Sequence, residues 1–177
     1  MKHPLGQTKN GVEVHVDLIK SKAAKHIAEQ PYLTELLKTV LAAIEPTEQN
    51  LTIEHNMKRP IGYDFVIETS EKDAVFYAKL VKETNFTKFI KNGNPSATEY
   101  LTITLRRDDD SYELTNIWIG RSTPALPGSD QETSDSASFW ATHALVFANQ
   151  PLQSQTLTRT CPYEDVTQVT TVIQIPA

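Results

Sequence analysis

A short helix near the start of the chain is predicted to carry a basic, titratable face. Ser21 is a good N-cap, and the apolar residues after it lie on one helix side, which leaves Lys22, Lys25 and His26 on the other. Histidine transfers protons near neutral pH, and lysines attract a phosphodiester. The face therefore fits proton transfer beside a bound phosphate, and it fits a solvated helix surface equally well.

A predicted strand ending at Arg106 supplies a second candidate surface. Leu101, Ile103 and Leu105 alternate with polar residues, which places the polar ones together on the opposite strand face. This polar face consists of Tyr100, Thr102, Thr104 and Arg106, and the next strand adds Thr115 and Asn116. Such a face is typical of a pocket for a phosphate and a base, and also of an ordinary exposed sheet rich in threonine.

Three other features have simpler interpretations. His143 lies in an apolar stretch, Phe139–Phe147, where a hydrogen bond within the core is favoured over chemistry. Cys161 is a nucleophile only beside a base, so a buried cysteine is favoured. The carboxylates Asp108–Asp110 are expected to be solvated at a hairpin turn rather than to bind a cation.

The motifs of metal and nucleotide sites do not occur. The sequence has no HExxH, no paired CxxC and no EF-hand loop, and it has neither GxGxxG nor GxxxxGK[ST]. We therefore predict no metal and no cofactor. One cysteine also provides no internal disulfide, so the fold is not expected to need an oxidising compartment.

Charge limits the partners that the chain is expected to bind. The formal net charge is −5, and residues 101–177 carry four basic and nine acidic side chains. This balance excludes a general electrostatic binder of nucleic acid, so RNA binding requires a local basic patch. The first ten residues lack the apolar run of a signal peptide, and no stretch is long enough to span a membrane. A cytoplasmic protein without a membrane partner is predicted.

The apolar pattern predicts an α+β fold. Valines 12, 14 and 16 indicate a first strand, and Leu33, Leu36, Leu37, Val40, Leu41 and Ile44 form the apolar face of a second helix. Strands follow at 51–55, 62–68, 74–80, 84–90, 99–106, 111–119, 155–160 and 166–175, with a surface loop at 121–138 and a helix at 139–148. We expect a single domain over residues 1–177, with N-terminal helices packed on an antiparallel β-meander.

The order of these elements resembles the barnase, EndoU, colicin and RelE-like toxin ribonucleases. The resemblance rests on an early basic helix with His26, a second helix, and a meander carrying Lys58, Arg106 and Thr115. The segments Tyr112–Arg121 and Phe139–Val146 also resemble an uncharacterised family of small bacterial proteins. The likeness covers roughly residues 12–147.

This resemblance implies metal-independent cleavage of RNA through its own 2′-hydroxyl. His26 would then be the general base or acid, Lys58 or Arg106 would stabilise the phosphorane, and Thr115 would hold a phosphate oxygen. Lys22, Lys25, Asn116 and His143 would contact the substrate. The alternative is a non-enzymatic interaction module of an immunity or phage type, since the acidic last third complements a partner with a basic surface.

Overall fold

In the described part of the chain, segments whose apolar residues repeat every second position form strands. Segments with the helical spacing of apolar residues form helices. The computed structural model describes residues 1–70, 75–80, 86–91, 95–125, 131–147 and 172–175. Its helices are α1 (Lys22–Glu29), α2 (Leu33–Ala43) and α3 (Ser136–Thr142). Its strands are β1 (Lys2–Gln7), β2 (Glu13–Asp17), β3 (Asn50–Asn56), β4 (Gly62–Asp64), β5 (Val66–Glu68), β6 (Val75–Leu80), β7 (Phe86–Lys91), β8 (Ser96–Thr98), β9 (Tyr100–Asp108), β10 (Ser111–Ile119), β11 (His143–Phe147) and β12 (Val172–Ile175).

The chain forms two compact units. The first comprises Met1–Gly62 with Thr98–Ser122, and the second comprises Tyr63–Ala97 with Thr123–Ala177. The interpretation of residues 1–177 as a single domain stays a prediction.

A five-stranded sheet in the order β1-β2-β10-β9-β3 organises the first unit. Its β1–β2, β9–β10 and β3–β9 pairs are antiparallel. β2 and β10 run parallel, with Val14 opposite Tyr112 and His15 opposite Glu113. This short parallel pair joins the first hairpin to the second one, about a hundred positions later in the chain.

Helices α1 and α2 share one hydrophobic core with this sheet. The apolar face predicted for α2 is confirmed, because Leu33, Leu36, Leu37, Val40 and Leu41 are buried and Ile44 packs against them. The strands contribute the buried side chains Val14, Val16, Leu101, Ile103, Leu105, Tyr112, Leu114 and Ile117. The Tyr112 hydroxyl donates to the carbonyl of Glu48 at 2.7 Å, so this ring is buried without an unpaired polar atom.

The second unit contains another five-stranded sheet, in the order β12-β6-β7-β11-β5. The β6–β7 and β5–β11 pairs are antiparallel, whereas β11 pairs parallel with β7 and β12 pairs parallel with β6. Phe89, Ile90, Trp140, Ala144 and Val146 are buried. A separate two-stranded sheet joins β4 and β8.

The predicted α+β class is confirmed, but the simple antiparallel meander is wrong. Both five-stranded sheets are mixed, and α3 follows the strands of the middle of the chain rather than preceding them. The physical reason is that a period of two identifies a strand and its faces without stating which strand it pairs with, or in which direction.

The helix predicted at 139–148 is also corrected. α3 ends at Thr142, and residues 143–147 form β11, which pairs with β5 and β7. A short apolar run has no period that separates a buried helix from a buried strand, so tertiary pairing decides. Strand β1 was missed because it contains Pro4 and Gly6. The predicted strand at 155–160, Cys161 and the first part of 166–175 lie outside the described residues.

Ser21 is confirmed as the N-cap of α1, and its loss is expected to be costly. Its Oγ accepts the Ala23 N–H and donates to the Leu114 carbonyl, both at 3.0 Å. Ser21→Ala therefore removes a cap and a bond to β10, and we expect a loss of about 1–2 kcal/mol in unfolding free energy. Urea unfolding measures this, with Ser21→Thr as the variant that keeps the hydroxyl. Equal stability of the alanine variant and the unsubstituted protein would contradict the role.

Candidate functional site

The first sheet has an outer face, opposite the helices, that carries most of its ionisable groups. On β9 the buried Leu101, Ile103 and Leu105 point into the core, so the alternate residues lie on the outer face. These are Tyr100, Thr102, Thr104, Arg106 and Asp108. On β2, Val14 and Val16 are buried in the core, so His15 between them lies on the outer face as well.

Glu113 of β10 joins His15 and Arg106 in one row across three adjacent strands. Glu113 of β10 is the register partner of Arg106 of β9 and of His15 of β2. Arg106 Nη2 donates to Glu113 Oε2 at 2.7 Å, with side-chain exposures of 56% and 17%. This hydrogen bond and the charge of Glu113 raise the pKa of Arg106 above its ordinary value. The row therefore holds a cation, a carboxylate and an imidazole.

The β9–β10 turn extends this row into a larger group. Asp108 Oδ2 accepts from Lys2 Nζ at 2.6 Å and lies 3.0 Å from His15 Nε2. The second contact lacks hydrogen-bond geometry, because His15 Nε2 is buried and has no hydrogen-bond partner among the described residues. Ser111 Oγ donates to the Asp108 carbonyl at 2.9 Å and lies 3.3 Å from His15 Nδ1. We name this group the sheet cluster: Lys2, His15, Arg106, Asp108, Ser111 and Glu113.

The Lys2–Asp108 pair predicts a dependence of stability on acid. The hydrogen bond from Lys2 is the main cause that lowers the pKa of Asp108 from its ordinary 3.8. The ionised Asp108 carboxylate therefore stabilises the fold above the ordinary pKa, and this contribution is lost as the pH falls through the lowered pKa. We expect the unfolding free energy to decrease below about pH 4, and to decrease less in Asp108→Asn.

Urea unfolding at a series of pH values measures this difference. Asp17 keeps part of the acid dependence in the variant, since bonds from the Ile19 and Lys20 N–H groups lower its pKa as well. Identical pH profiles of the variant and the unsubstituted protein would contradict the contribution of Asp108.

The sheet cluster contains the groups that a metal-independent phosphoryl transfer needs. A carboxylate accepts a proton from a hydroxyl, a guanidinium neutralises charge on phosphate oxygens, and an imidazole donates a proton to a leaving oxygen. Within the described ranges, no group of three or more His, Cys, Asp or Glu side chains has the arrangement of a metal site.

His26 lies elsewhere, on α1, where it contacts the main chain of β10. Its Nδ1 is 2.7 Å from the Ile117 carbonyl oxygen, and because a carbonyl only accepts, Nδ1 carries the proton. Lys22 and Lys25 are exposed on the same helix, as the sequence predicted. The Ile117 carbonyl lies beyond the part of β10 that pairs with β2, and His26 supplies its hydrogen bond. His26 therefore has a structural role.

Arg106, Thr115 and Asn116 are brought onto neighbouring strands of the outer face. Thr115 is the extra residue of an irregularity in β10, between Leu114 and Asn116. Its Oγ1 lies 2.6 Å from Thr104 Oγ1. The Asn116 side chain accepts the N–H of Ile117 at 2.9 Å.

The structure does not unite all of the predicted catalytic residues. No hydrogen bond or ion pair between described side chains joins His26 to Lys58, Arg106 or Thr115. Lys58 is exposed after β3 with a positive φ of 62°, and its N–H donates to Asn56 Oδ1.

His143 belongs to the second unit. Its ring stacks on Phe139 with centroids 4.0 Å apart, and its Nδ1 lies 3.0 Å from the Phe139 carbonyl oxygen. Thr142 Oγ1 is 2.9 Å from the same nitrogen. These contacts fit the local hydrogen-bonding role that the apolar sequence around His143 favours.

His15, Glu113, Lys2 and Ser111 were missed from the sequence, and Asp108, which was expected to be solvated, instead accepts from Lys2 at 2.6 Å. The Arg106–Glu113 pair had a signal, because a turn centred on Asp109 and Asp110 places positions 106 and 113 opposite each other. The valines around His15 also showed which strand face it occupies. Its place beside Glu113 had no signal, since it depends on the parallel β2–β10 pair.

Two further findings come from the search for membrane spans and from comparison with known proteins. No helix among the described residues is long and apolar enough to cross a membrane. Comparison of the chain with family models, with curated proteins and with solved structures finds no significant match.

Proposed function

We propose that the first unit is a metal-independent ribonuclease whose reaction centre is the sheet cluster. The observation that carries this proposal is the row of His15, Glu113 and Arg106 on three adjacent strands, with Arg106 bonded to Glu113 at 2.7 Å. RNA contains its own nucleophile, so a base, an acid and a cation suffice for its cleavage.

Each residue of the row has one chemical role in this proposal. The Glu113 carboxylate takes the proton of the 2′-hydroxyl while the 2′-oxygen forms a bond to phosphorus. The P–O5′ bond breaks, and the departing 5′-oxygen takes a proton from the imidazole of His15, which is 8% exposed at the edge of the row. The products are a 2′,3′-cyclic phosphate and a 5′-hydroxyl. Arg106 neutralises the charge that develops on the phosphate oxygens.

The surroundings of the row support these roles. Lys2 pairs with Asp108, so a second cation lies beside the row, and Asp108 Oδ2 lies 3.0 Å from His15 Nε2. Thr104 and Thr115 place two hydroxyls on the same face. Arg106 keeps the phosphate-stabilising role expected from the sequence. The base and the acid are assigned to the sheet instead of to α1.

Incubation of the full chain with RNA in excess EDTA tests the proposal. We expect fragments that end in 2′,3′-cyclic phosphate and begin with a 5′-hydroxyl, as identified by mass spectrometry. RNA with 2′-O-methyl groups should stay intact because its nucleophile is blocked. Cleavage that requires a divalent metal, or intact RNA for all substrates, would reject the mechanism.

The alternative is a non-enzymatic interaction module that binds a basic protein. The exposed carboxylates of Asp109 and Asp110 at the tip of the β9–β10 hairpin favour it, since acidic rims steer association with a positively charged partner. Glu164 and Asp165, which also belong to the acidic third, lie outside the described residues. Charge reversal at Asp109 and Asp110 would slow such association and leave RNA cleavage unaffected.

A further inference from the structure

Beyond the sheet cluster, the outer face continues to two aromatic side chains. Tyr100 begins β9 on this face, and Trp118 of β10 is the register partner of Thr102. Ile117 and Ile119 on either side of Trp118 belong to the core, which fixes the indole on the outer face. Both aromatic side chains are half-buried.

Arg121 ties these two aromatics together. Its guanidinium lies over the Tyr100 ring at 4.6 Å from the centroid, and its carbonyl accepts from Trp118 Nε1 at 3.2 Å. Its Nε also donates to Glu54 Oε2 at 2.9 Å, while the side chain is 59% exposed. We name Tyr100, Trp118 and Arg121 the aromatic end of the outer face.

The aromatic end and the sheet cluster lie on the same strands. Six positions of β9 separate Tyr100 from Arg106, which is roughly 20 Å in a strand. Between them lie the hydroxyls of Thr104 and Thr115 and the fully buried Thr102, whose Oγ1 donates to the Gly120 carbonyl at 2.6 Å. An extended chain of several nucleotides fits this length, with a phosphate at Arg106 and a base at the aromatic end.

We infer that the ligand of the outer face is single-stranded RNA, with bases stacked on the aromatic end and a phosphate at the sheet cluster. This inference rests on the proposed ribonuclease function, whose substrate it specifies. Aromatic rings and guanidinium planes stack on the flat faces of bases, which a single strand exposes. The Arg121 guanidinium covers one face of Tyr100, so a base at this end stacks on Trp118 or on the guanidinium that Tyr100 supports. In a duplex the bases are paired and stacked on each other, so a sheet reaches only the backbone.

The charges of this face indicate binding by stacking more than by electrostatics. Arg121 pairs with Glu54, Arg106 with Glu113, and Lys2 with Asp108. A phosphate must compete with a carboxylate for each of these cations. Affinity should therefore fall only weakly with added salt, because few counterions are released from the RNA.

Fluorescence of Trp118 offers a direct measurement on the full chain. The protein has two tryptophans, and Trp140 is only 7% exposed in the second unit. The probe is a 2′-O-methyl oligonucleotide of about eight residues, which lacks the attacking hydroxyl and so separates binding from cleavage. We expect it to quench the emission, and we expect the quenching to disappear in Trp118→Phe.

Tyr100→Leu, which keeps apolar volume but removes the ring, should weaken binding about 5- to 150-fold. The matched control Tyr32→Leu, at an exposed position before α2, should bind normally. The same sequence as a duplex should not quench. Normal binding by Tyr100→Leu, or equal binding of the duplex, would overturn the inference.

Cleavage assays separate this inference from the proposed function. If RNA is cleaved but binding does not depend on Tyr100, base binding at the aromatic end is rejected and the ribonuclease proposal is retained. Tyr100-dependent binding of the oligonucleotide without cleavage of any RNA would support the binding face and reject the reaction.

Discussion

Glu113→Gln is expected to lower the rate constant of RNA cleavage by about 10²–10⁴-fold, because the amide cannot take the proton of the 2′-hydroxyl. Arg106→Ala should lower it by about 10²–10³-fold, since the developing charge on the phosphate oxygens loses its cation. Single-turnover measurements in EDTA give these rates. Arg106→Lys should restore little, because an ammonium does not reproduce the two-pronged contact of a guanidinium.

Two controls distinguish this site from the alternatives. Lys38→Ala breaks an exposed pair with Glu35 on α2 and should leave cleavage unchanged. His26→Ala removes the bond to Ile117, so it should lower stability while the folded protein keeps its rate. A large loss of rate in folded His26→Ala, with normal cleavage by Glu113→Gln, would place the reaction on α1 instead.

The elements of the first unit were largely predictable because their apolar residues follow one period. The face of α2 and the alternation of Leu101, Ile103 and Leu105 each predicted which side chains are buried. The pairing of strands was not predictable. The β2–β10 pair and the second sheet depend on contacts between distant segments, about which local periods carry no information.

The same limit applies to the residues of the candidate site: local contacts were predictable and distant ones were not. Arg106 was identified because strand alternation acts over a short distance. Thr115 and Asn116 are adjacent in sequence, so alternation alone does not place both on the outer face, and the irregularity between Leu114 and Asn116 accounts for it. His15 reaches its position beside Glu113 through a parallel pair of only two register positions. His26 was a candidate catalytic residue because two lysines share its helix face. Its bond to the Ile117 carbonyl shows that it also supplies a hydrogen bond to β10.

Leu37→Ala is expected to lower the unfolding free energy by about 2–5 kcal/mol. Leu37 is 1% exposed in the middle of α2, within the core shared with Val14 and Leu114. Truncation loses the transfer free energy of the buried methyl groups and leaves a cavity that neighbouring elements fill only partly.

Urea unfolding at neutral pH measures the cost, with Thr39→Ala as the matched control. Thr39 is exposed on the same helix, so its truncation should change stability by no more than about 0.5 kcal/mol. Similar small effects for both variants would mean that α2 does not hold the first sheet in place. The outer face would then lack the rigid support that aligned His15, Glu113 and Arg106 require, because catalytic side chains must be held in register before the substrate binds.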